Sequence, residues 1–389
     1  MKKWWVLLLC ISMVFGVFGC SSQNEIGGQS NQYDSNAWEK GVANICRNEN
    51  GYYAFCGELL YTIEDKKAYP LCNKADCEHD SVECNAYLKK VQPQTVWYDG
   101  TSIYAVGMGK VGTYSIYRIN KDGSGNEKVC DLFQTIGKAS FSILCYFNDG
   151  YAYYVLTLRS ADDVAKGNYS EKLYRIKLEA NAEPELLYEK MDGVETNTLG
   201  RCIFDEDDLY ITEITYSENG DPSCVLYKYS IKENKIEPFM EKYMAYYFIN
   251  EGYLYYTAED GIYKSSLTEP DDEELIFETS EFNGAMVYDG EYIYVDDMAY
   301  QMSQEEHSDV VNICVLDLNG NIQKKTSVDY NCLLFYGDGT DIIAENKYPV
   351  NTADEVCFVD KIYFYDKSQI NTDQDEWSYM EQKEASDLE

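Results

Sequence analysis

The side chains best suited to chemistry lie in a 13-residue segment with three cysteines and a histidine. Cys72, Cys77, His79 and Cys84 follow the spacing C-x4-C-x-H-x4-C. Thiolate sulfur and imidazole nitrogen are the ligands that zinc takes in closed, four-coordinate structural sites. The segment therefore predicts a structural zinc site with no position left for a reacting water.

Disulfides are the alternative chemistry for the cysteines, because exported cysteines usually pair. Cys77 and Cys84 would then staple their own loop. Cys46 and Cys56 lie at equal distances along the chain from Gly51, in a predicted hairpin. Equal offsets predict that they face each other across two antiparallel strands, at a spacing that suits a disulfide. The competing interpretation of this second pair is two buried thiols.

Catalytic motifs are absent from the sequence. It has no G-x-S-x-G elbow, no HExxH helix and no Walker loop. A pair of glycosidase carboxylates cannot be singled out among 68 acidic residues. We therefore predict no catalytic residues and expect that the chain is not an enzyme, with a hydrolase acting on a glycan at the mouth of the fold as the lower-ranked alternative.

The N-terminus has the pattern of a bacterial lipoprotein signal. Two lysines precede an uncharged run, and Val17-Phe18-Gly19-Cys20 resembles the lipobox, in which cleavage leaves the cysteine as a lipidated first residue. We predict a signal peptide over residues 1–19 and, over residues 20–40, a lipidated Cys20 followed by a flexible tether. Acyl chains such as palmitate would then hold the protein on the extracytoplasmic face of the cell membrane.

The charge balance restricts the partners. The sequence has 32 basic and 68 acidic residues and a formal net charge of −36, which repels nucleic acids and other polyanions. Besides the membrane, the expected partner is a neutral or cationic ligand or another protein. We expect a monomer with no cofactor beyond the zinc ion.

The rest of the sequence repeats short strand-forming phrases separated by Gly, Asp and Asn turns. Units of 40 to 50 residues with four strands each are typical of a β-propeller. We predict an all-β, seven-bladed propeller of four-stranded blades over residues 41–382, followed by an acidic tail over residues 383–389. The turn after each first strand is expected at seven positions, 38 to 57 residues apart: Gly51, Gly100, Gly150, Asp207, Gly252, Gly290 and Gly339.

The strand order is clearest in the third unit. The fourth strand of the last unit is either residues 376–380 or a segment borrowed from before Ala43, which would close the ring by strand exchange. The strands of the third unit are expected, from innermost to outermost, at residues 140–147, 151–158, 172–178 and 185–188.

One hairpin carries a family resemblance. Tyr255-Tyr256-Thr257, followed by Asp260-Gly261-Ile262-Tyr263, resembles the YWTD repeat of low-density-lipoprotein-receptor-type β-propellers, with a tyrosine in place of the tryptophan. The whole chain resembles β-propeller lipoproteins of unknown function from Gram-positive bacteria. The resemblance implies a propeller and a surface anchor, and it implies no reaction.

The predicted connections indicate which face of the propeller binds. Connections from second to third strands, and from one unit to the next, are long and must emerge on one face, where binding residues usually lie. Arg159, Tyr216 and His307 fall in these loops and are the predicted binding-face residues. We expect a ligand- or polymer-binding module, and the alternative is a protein-interaction scaffold of a cell-envelope complex.

Overall fold

The chain folds into seven sheets arranged as the blades of a propeller. In the described residues, 28 strands form seven four-stranded antiparallel sheets, each built from four consecutive strands. The all-β, seven-bladed prediction is therefore confirmed. The computed structural model describes residues 45–56, 58–81, 83–88, 93–110, 113–134, 140–159, 170–189, 196–205, 207–216, 222–279, 281–282, 284–302, 308–329, 333–337, 340–351 and 356–383.

The strands follow one another through the blades in chain order. Blades 1 and 2 contain β1 (Ile45–Arg47), β2 (Gly51–Cys56), β3 (Leu59–Glu64), β4 (Lys67–Pro70), β5 (Pro93–Tyr98), β6 (Ser102–Lys110), β7 (Thr113–Asn120) and β8 (Glu127–Gln134). Blades 3 and 4 contain β9 (Ser140–Asn148), β10 (Tyr151–Arg159), β11 (Ser170–Lys177), β12 (Glu185–Glu189), β13 (Thr196–Asp205), β14 (Asp208–Tyr216), β15 (Pro222–Ser230) and β16 (Lys235–Met240).

Blades 5 to 7 complete the ring. They contain β17 (Tyr247–Asn250), β18 (Tyr253–Thr257), β19 (Gly261–Ser266), β20 (Glu273–Glu278), β21 (Met286–Tyr288), β22 (Ile293–Asp296), β23 (Val310–Leu316), β24 (Ile322–Asp329), β25 (Leu333–Gly337), β26 (Asp341–Asn351), β27 (Val356–Asp366) and β28 (Trp377–Lys383). A short helix, α1 (Met298–Met302), follows β22, and a 3-10 helix (Lys367–Gln369) follows β27.

The first strand of each blade is the innermost one. First strands of neighbouring blades contact each other: β1 contacts β5, β13 contacts β17, and β21 contacts β25. The fourth strands lie outside and are largely exposed, as β16 and β20 show. Because neighbouring strands run antiparallel, first-to-second and third-to-fourth turns emerge on one side of the ring, called here the short-turn face. The other connections emerge on the long-loop face.

The core lies between the blades and is rich in tyrosine. Most of the largest fully buried side chains are tyrosines. Tyr153 of blade 3 meets Phe204 of blade 4 edge to face at a centroid distance of 5.0 Å, and Phe248 of blade 5 stacks on Tyr288 of blade 6 at 4.3 Å. Alternate strand positions thus fill the space between blades, which explains the tyrosine content without a ligand.

In the described residues the ring closes by packing, and the segment before Ala43 that was the alternative fourth strand lies outside them. β28 pairs with β27, so blade 7 has its own fourth strand, close to the predicted residues 376–380. Blades 1 and 7 share one hydrophobic cluster, in which Tyr52 lies 6.3 Å from Phe364 between ring centroids. This set of contacts is called here the closing interface.

The predicted turns are located as expected. Six of the seven positions lie between the first and second strands of a blade or begin the second strand, and Gly339 lies outside the described residues. In two turns a pair of residues has positive φ: Asp149 with Gly150, at 45° and 74°, and Glu251 with Gly252, at 50° and 78°. Positive φ at both central positions is the requirement of the tight hairpin turn that matches the strand twist.

For Cys46 and Cys56 the sequence left a disulfide and two buried thiols as alternatives, and the structure has two buried thiols that do not face each other. The register pairs Cys46 with Tyr53 and Arg47 with Tyr52, so the hairpin is centred between residues 49 and 50 rather than at Gly51. Cys46 packs in the cluster shared with blade 2, whereas Cys56 packs in the closing interface. The two side chains therefore lie on opposite sides of blade 1.

The predicted signal peptide, the lipidated Cys20 and the tether lie outside the described residues. Among the residues that the structure does describe, no helix is both long and apolar enough to cross a membrane.

Candidate metal centre

The structure brings together the four side chains that the sequence singled out. The sulfur atoms of Cys72, Cys77 and Cys84 and a ring nitrogen of His79 all lie within 4.8 Å of one another. Zinc–sulfur bonds of about 2.3 Å would separate two sulfurs on one tetrahedral ion by about 3.8 Å. A small contraction of the cluster would therefore suffice to close it on a single ion.

The loop that carries these residues is tied down at both ends by β3. After β4 the backbone N–H of Leu71 donates to the carbonyl of Leu60 at 2.8 Å. At the far end, the N–H of Leu60 donates to the carbonyl of Ala86, and the N–H of Leu88 donates to the carbonyl of Glu58, both at 2.8 Å. The cluster thus lies on the long-loop side of blade 1, against its third strand rather than its innermost one.

Two residues of the loop adopt a backbone conformation that side chains other than glycine rarely take. Asp76 and His79 have φ of 57° and 62°. Such left-handed residues cost free energy and persist where the surroundings fix them. With this backbone conformation at His79, its Nδ1 atom lies 3.2 Å from the sulfur of Cys84, which is the one buried side chain among the four candidate ligands.

Backbone donors already surround two of the sulfurs. Cys72 accepts from the N–H groups of Lys74 and Asn85, and Cys84 accepts from the N–H of Ala86. Burial tends to raise the pKa of Cys72, but these donors outweigh it and hold that pKa below its usual value. At Cys84 burial dominates and raises the pKa to about 12. Hydrogen bonds of this kind orient metal ligands and stabilise thiolates, and a bound cation deprotonates a coordinating thiol.

A short polar chain links the cluster to blade 2. The side-chain amide of Asn85 donates to that of Asn73 at 2.7 Å, and Asn73 donates to the carboxylate of Asp122, in the turn after β7, at 3.0 Å. On the opposite side, the three cysteines pack against the closing interface. A metal ion here would therefore reinforce the region where blade 1 meets both of its neighbours.

The alternative disulfide between Cys77 and Cys84 is not formed in the structure, where both are free cysteines. The other predicted binding-face residues do not converge on this site. Arg159 and Tyr216 are the last residues of β10 and β14, at the long-loop ends of two different blades. His307 lies outside the described residues.

A cleft that sequence analysis missed lies on the short-turn face, where blades 6, 7 and 1 meet. It encloses about 460 Å³. Lys66 lies 3.4 Å from Asp341, and Lys367 lies 2.6 Å from the buried Asp289, so both lysines are neutralised. No local pattern indicates this cleft, because turns of three blades supply its wall: Lys66, Glu291, Tyr292, Thr340, Asp341, Asp366, Lys367, Ser368 and Asn371.

Comparison with known proteins shows the fold alone. The chain is similar to a prolyl endopeptidase, with a TM-score of 0.54 and 12% identity over 91% of this chain and 51% of the peptidase, so it spans about half of that protein. A puromycin-hydrolysing peptidase from Mycobacterium tuberculosis has a TM-score of 0.46 and 11% identity, over 82% of this chain and 49% of that chain. TolB from Acinetobacter baumannii has a TM-score of 0.39 and 13% identity, over 86% of this chain and 79% of TolB. No protein-family profile and no characterised protein sequence matches the chain.

Proposed function

We propose that this chain is a surface-anchored binding module, a metal-reinforced ring that presents a ligand cleft away from the membrane. The two-sided organisation of the ring carries the proposal. β1 begins and β28 ends on the long-loop face, whereas the cleft opens on the short-turn face. A tether leading from the start of β1 to a lipidated Cys20 would therefore leave the cleft on the outward side.

The metal has a structural role in this proposal. Three cysteines and one histidine supply four ligands, the full set of a structural zinc site, and leave no position for water or substrate. Zinc would hold the loop of blade 1 to β3 and to the closing interface, where no strand among the described residues is shared between the two ends of the ring.

The surface anchor predicts a simple change in location. Cys20→Ala removes the only atom to which the lipid would be attached, so the protein is expected to move from the membrane fraction into the medium. Fractionation of producing cells, with blotting for the protein, measures the change, and Cys10→Ala inside the predicted signal is the matched control. Full retention of the Cys20→Ala protein in the membrane fraction would contradict the anchor.

The wall of the cleft indicates the chemistry of its ligand. Glu291 lies 3.2 Å from Lys367 but is 59% exposed, and Asp366 is also exposed, so both carboxylates can accept further hydrogen bonds. The hydroxyl of Tyr292 lies beside Glu291 and Asn371. Since both lysines of the cleft are already paired with carboxylates, the cleft favours a ligand with hydroxyl or amine donors over an anionic ligand. A neutral or amino sugar, with its ring on Tyr292 and its hydroxyls on the carboxylates, fits this wall and the net charge of −36.

Binding of sugars to the purified protein tests this function. On an array of neutral and amino-sugar oligosaccharides, Tyr292→Ala is expected to weaken binding about tenfold, equivalent to about 1.4 kcal/mol. Tyr69→Ala, at a tyrosine that is 51% exposed on β4, is the matched control and is expected to bind normally. Absence of binding by the unchanged protein, or equal binding by the two variants, would contradict the proposal.

A further inference from the structure

The innermost strand of blade 4 carries an arginine at a bulge. The pairing of β13 with β14 shifts between Leu199 and Cys202, so that Gly200 and Arg201 stand opposite the single residue Thr212. A Cβ atom at Gly200 would lie 2.1 Å from the hydroxyl oxygen of Thr212, so the close approach requires glycine. A bulge of this kind redirects the side chain next to it, here Arg201, and bulges are frequent beside functional sites.

The guanidinium of Arg201 is buried, and no described residue of the chain forms an ion pair with it. The residue is 3% exposed, and its Nε and Nη2 atoms have no hydrogen-bond partner. Its Cζ lies 5.9 Å from the ring centroid of Tyr246 in blade 5. Because arginine stays protonated in proteins and buried charges are normally paired, an isolated buried guanidinium needs a partner.

A second buried proton donor lies nearby in blade 3. The hydroxyl of Tyr146, on β9, is buried and has no acceptor for its proton, although the backbone N–H of Cys202 lies close to its oxygen. Tyr146 packs in the same hydrophobic cluster as Leu199 and Cys202, which flank the bulge that carries Arg201. Burial raises the pKa of Tyr146 well above its usual value, so the hydroxyl keeps its proton. The side chains of Arg201 and Tyr146 both offer protons.

The neighbouring buried carboxylates are engaged elsewhere. Glu171 accepts from the hydroxyl of Thr157 at 2.6 Å and from the N–H of Leu199 at 2.7 Å. Glu213 accepts from the hydroxyl of Tyr188. Within the described part of the chain neither carboxylate forms an ion pair with Arg201, which leaves its guanidinium available to an acceptor from outside the protein.

We propose that Arg201 and Tyr146 form a binding site for a small anion inside the ring, between blades 3, 4 and 5. The ligand would be a compact monovalent anion that accepts hydrogen bonds, either a halide or a small carboxylate. Only a small ion suits a guanidinium that is 3% exposed. The anion would neutralise the buried charge and join three blades near the axis of the ring.

Thermal unfolding of the full chain in different sodium salts at constant ionic strength tests the site, with bulky gluconate as the reference anion. Replacing gluconate by chloride or by acetate up to 100 mM is expected to raise the melting temperature by about 5 °C, if the dissociation constant is about 1 mM. If only chloride raises the melting temperature, the site binds a halide, and if only acetate raises it, the site binds a carboxylate. The Arg201→Met protein is expected to lose the rise, because methionine fills the volume without the charge.

Two further variants make the test decisive. Arg118→Met removes an exposed arginine that is already paired with Glu127, and it is expected to keep the anion effect. Tyr146→Phe removes only the hydroxyl and is expected to weaken anion binding several-fold, which also tests the site if Arg201→Met fails to fold. Equal melting temperatures of the unchanged protein in all three salts, or an undiminished anion effect in both Arg201→Met and Tyr146→Phe, would overturn the proposal.

Discussion

The Cys84→Ser variant is expected to melt about 5 °C below the unchanged protein. Cys84 is 4% exposed and is the buried ligand of the metal centre, so its loss removes the ion as well as a packed thiol. Loss of a structural metal costs about 3–5 kcal/mol, and each kcal/mol shifts the melting temperature of a domain of this size by about 1–2 °C. Differential scanning calorimetry with and without a chelator measures the effect.

Cys130→Ser separates the metal from the packing. Cys130 is also 4% exposed, but it lies on β8, outside the metal cluster. We expect this control to be destabilised less and to remain sensitive to the chelator, whereas Cys84→Ser should no longer respond to it. Similar melting temperatures for the two variants, together with a chelator that has no effect on the unchanged protein, would contradict a structural metal.

The Lys367→Met variant is expected to lose about 3–5 kcal/mol of its free energy of unfolding, because it leaves a buried carboxylate without its cation. The side chain of Lys367 is 5% exposed, and its ammonium lies 2.6 Å from Asp289, whose side chain is fully buried. Asp289 also accepts from the N–H groups of Glu291 and Tyr292 and from the hydroxyl of Tyr294. Urea unfolding followed by circular dichroism measures the loss.

Two comparisons identify the buried charge as the cause. Lys66→Met removes a lysine that is 37% exposed and 3.4 Å from Asp341, and it is expected to cost less than about 1 kcal/mol. Asp289→Asn combined with Lys367→Met removes both charges and is expected to recover most of the stability, since asparagine keeps an acceptor for the two N–H groups. Equal losses for Lys66→Met and Lys367→Met would contradict this explanation.

Features that depend on local sequence were predictable. The Gly and Asp turns and the alternating aromatic strands determine each hairpin, and they correctly indicate seven four-stranded blades. The third blade illustrates this, because its observed strands differ from the predicted ones by at most two residues at either end. The spacing of Cys72, Cys77, His79 and Cys84 likewise indicated a group that the fold brings together.

Features that depend on register or on ring closure were not predictable. Cys46 and Cys56 appear symmetric about Gly51, but a shift of the turn centre by one to two residues moves them to opposite sides of blade 1. The pairing of Lys367 with Asp289 joins different blades, and no short-range pattern connects them. The same holds for the cleft, whose wall comes from three blades.

X-ray absorption at the zinc edge of the purified protein shows whether Cys72, Cys77, His79 and Cys84 bind one metal ion together. Native mass spectrometry of the same sample gives the stoichiometry. We expect one zinc ion per chain, with three sulfur neighbours and one nitrogen neighbour. A chelator should release it and expose three thiols to alkylation. An unchanged mass on chelation, with Cys77 and Cys84 resistant to alkylation until they are reduced, would contradict this expectation.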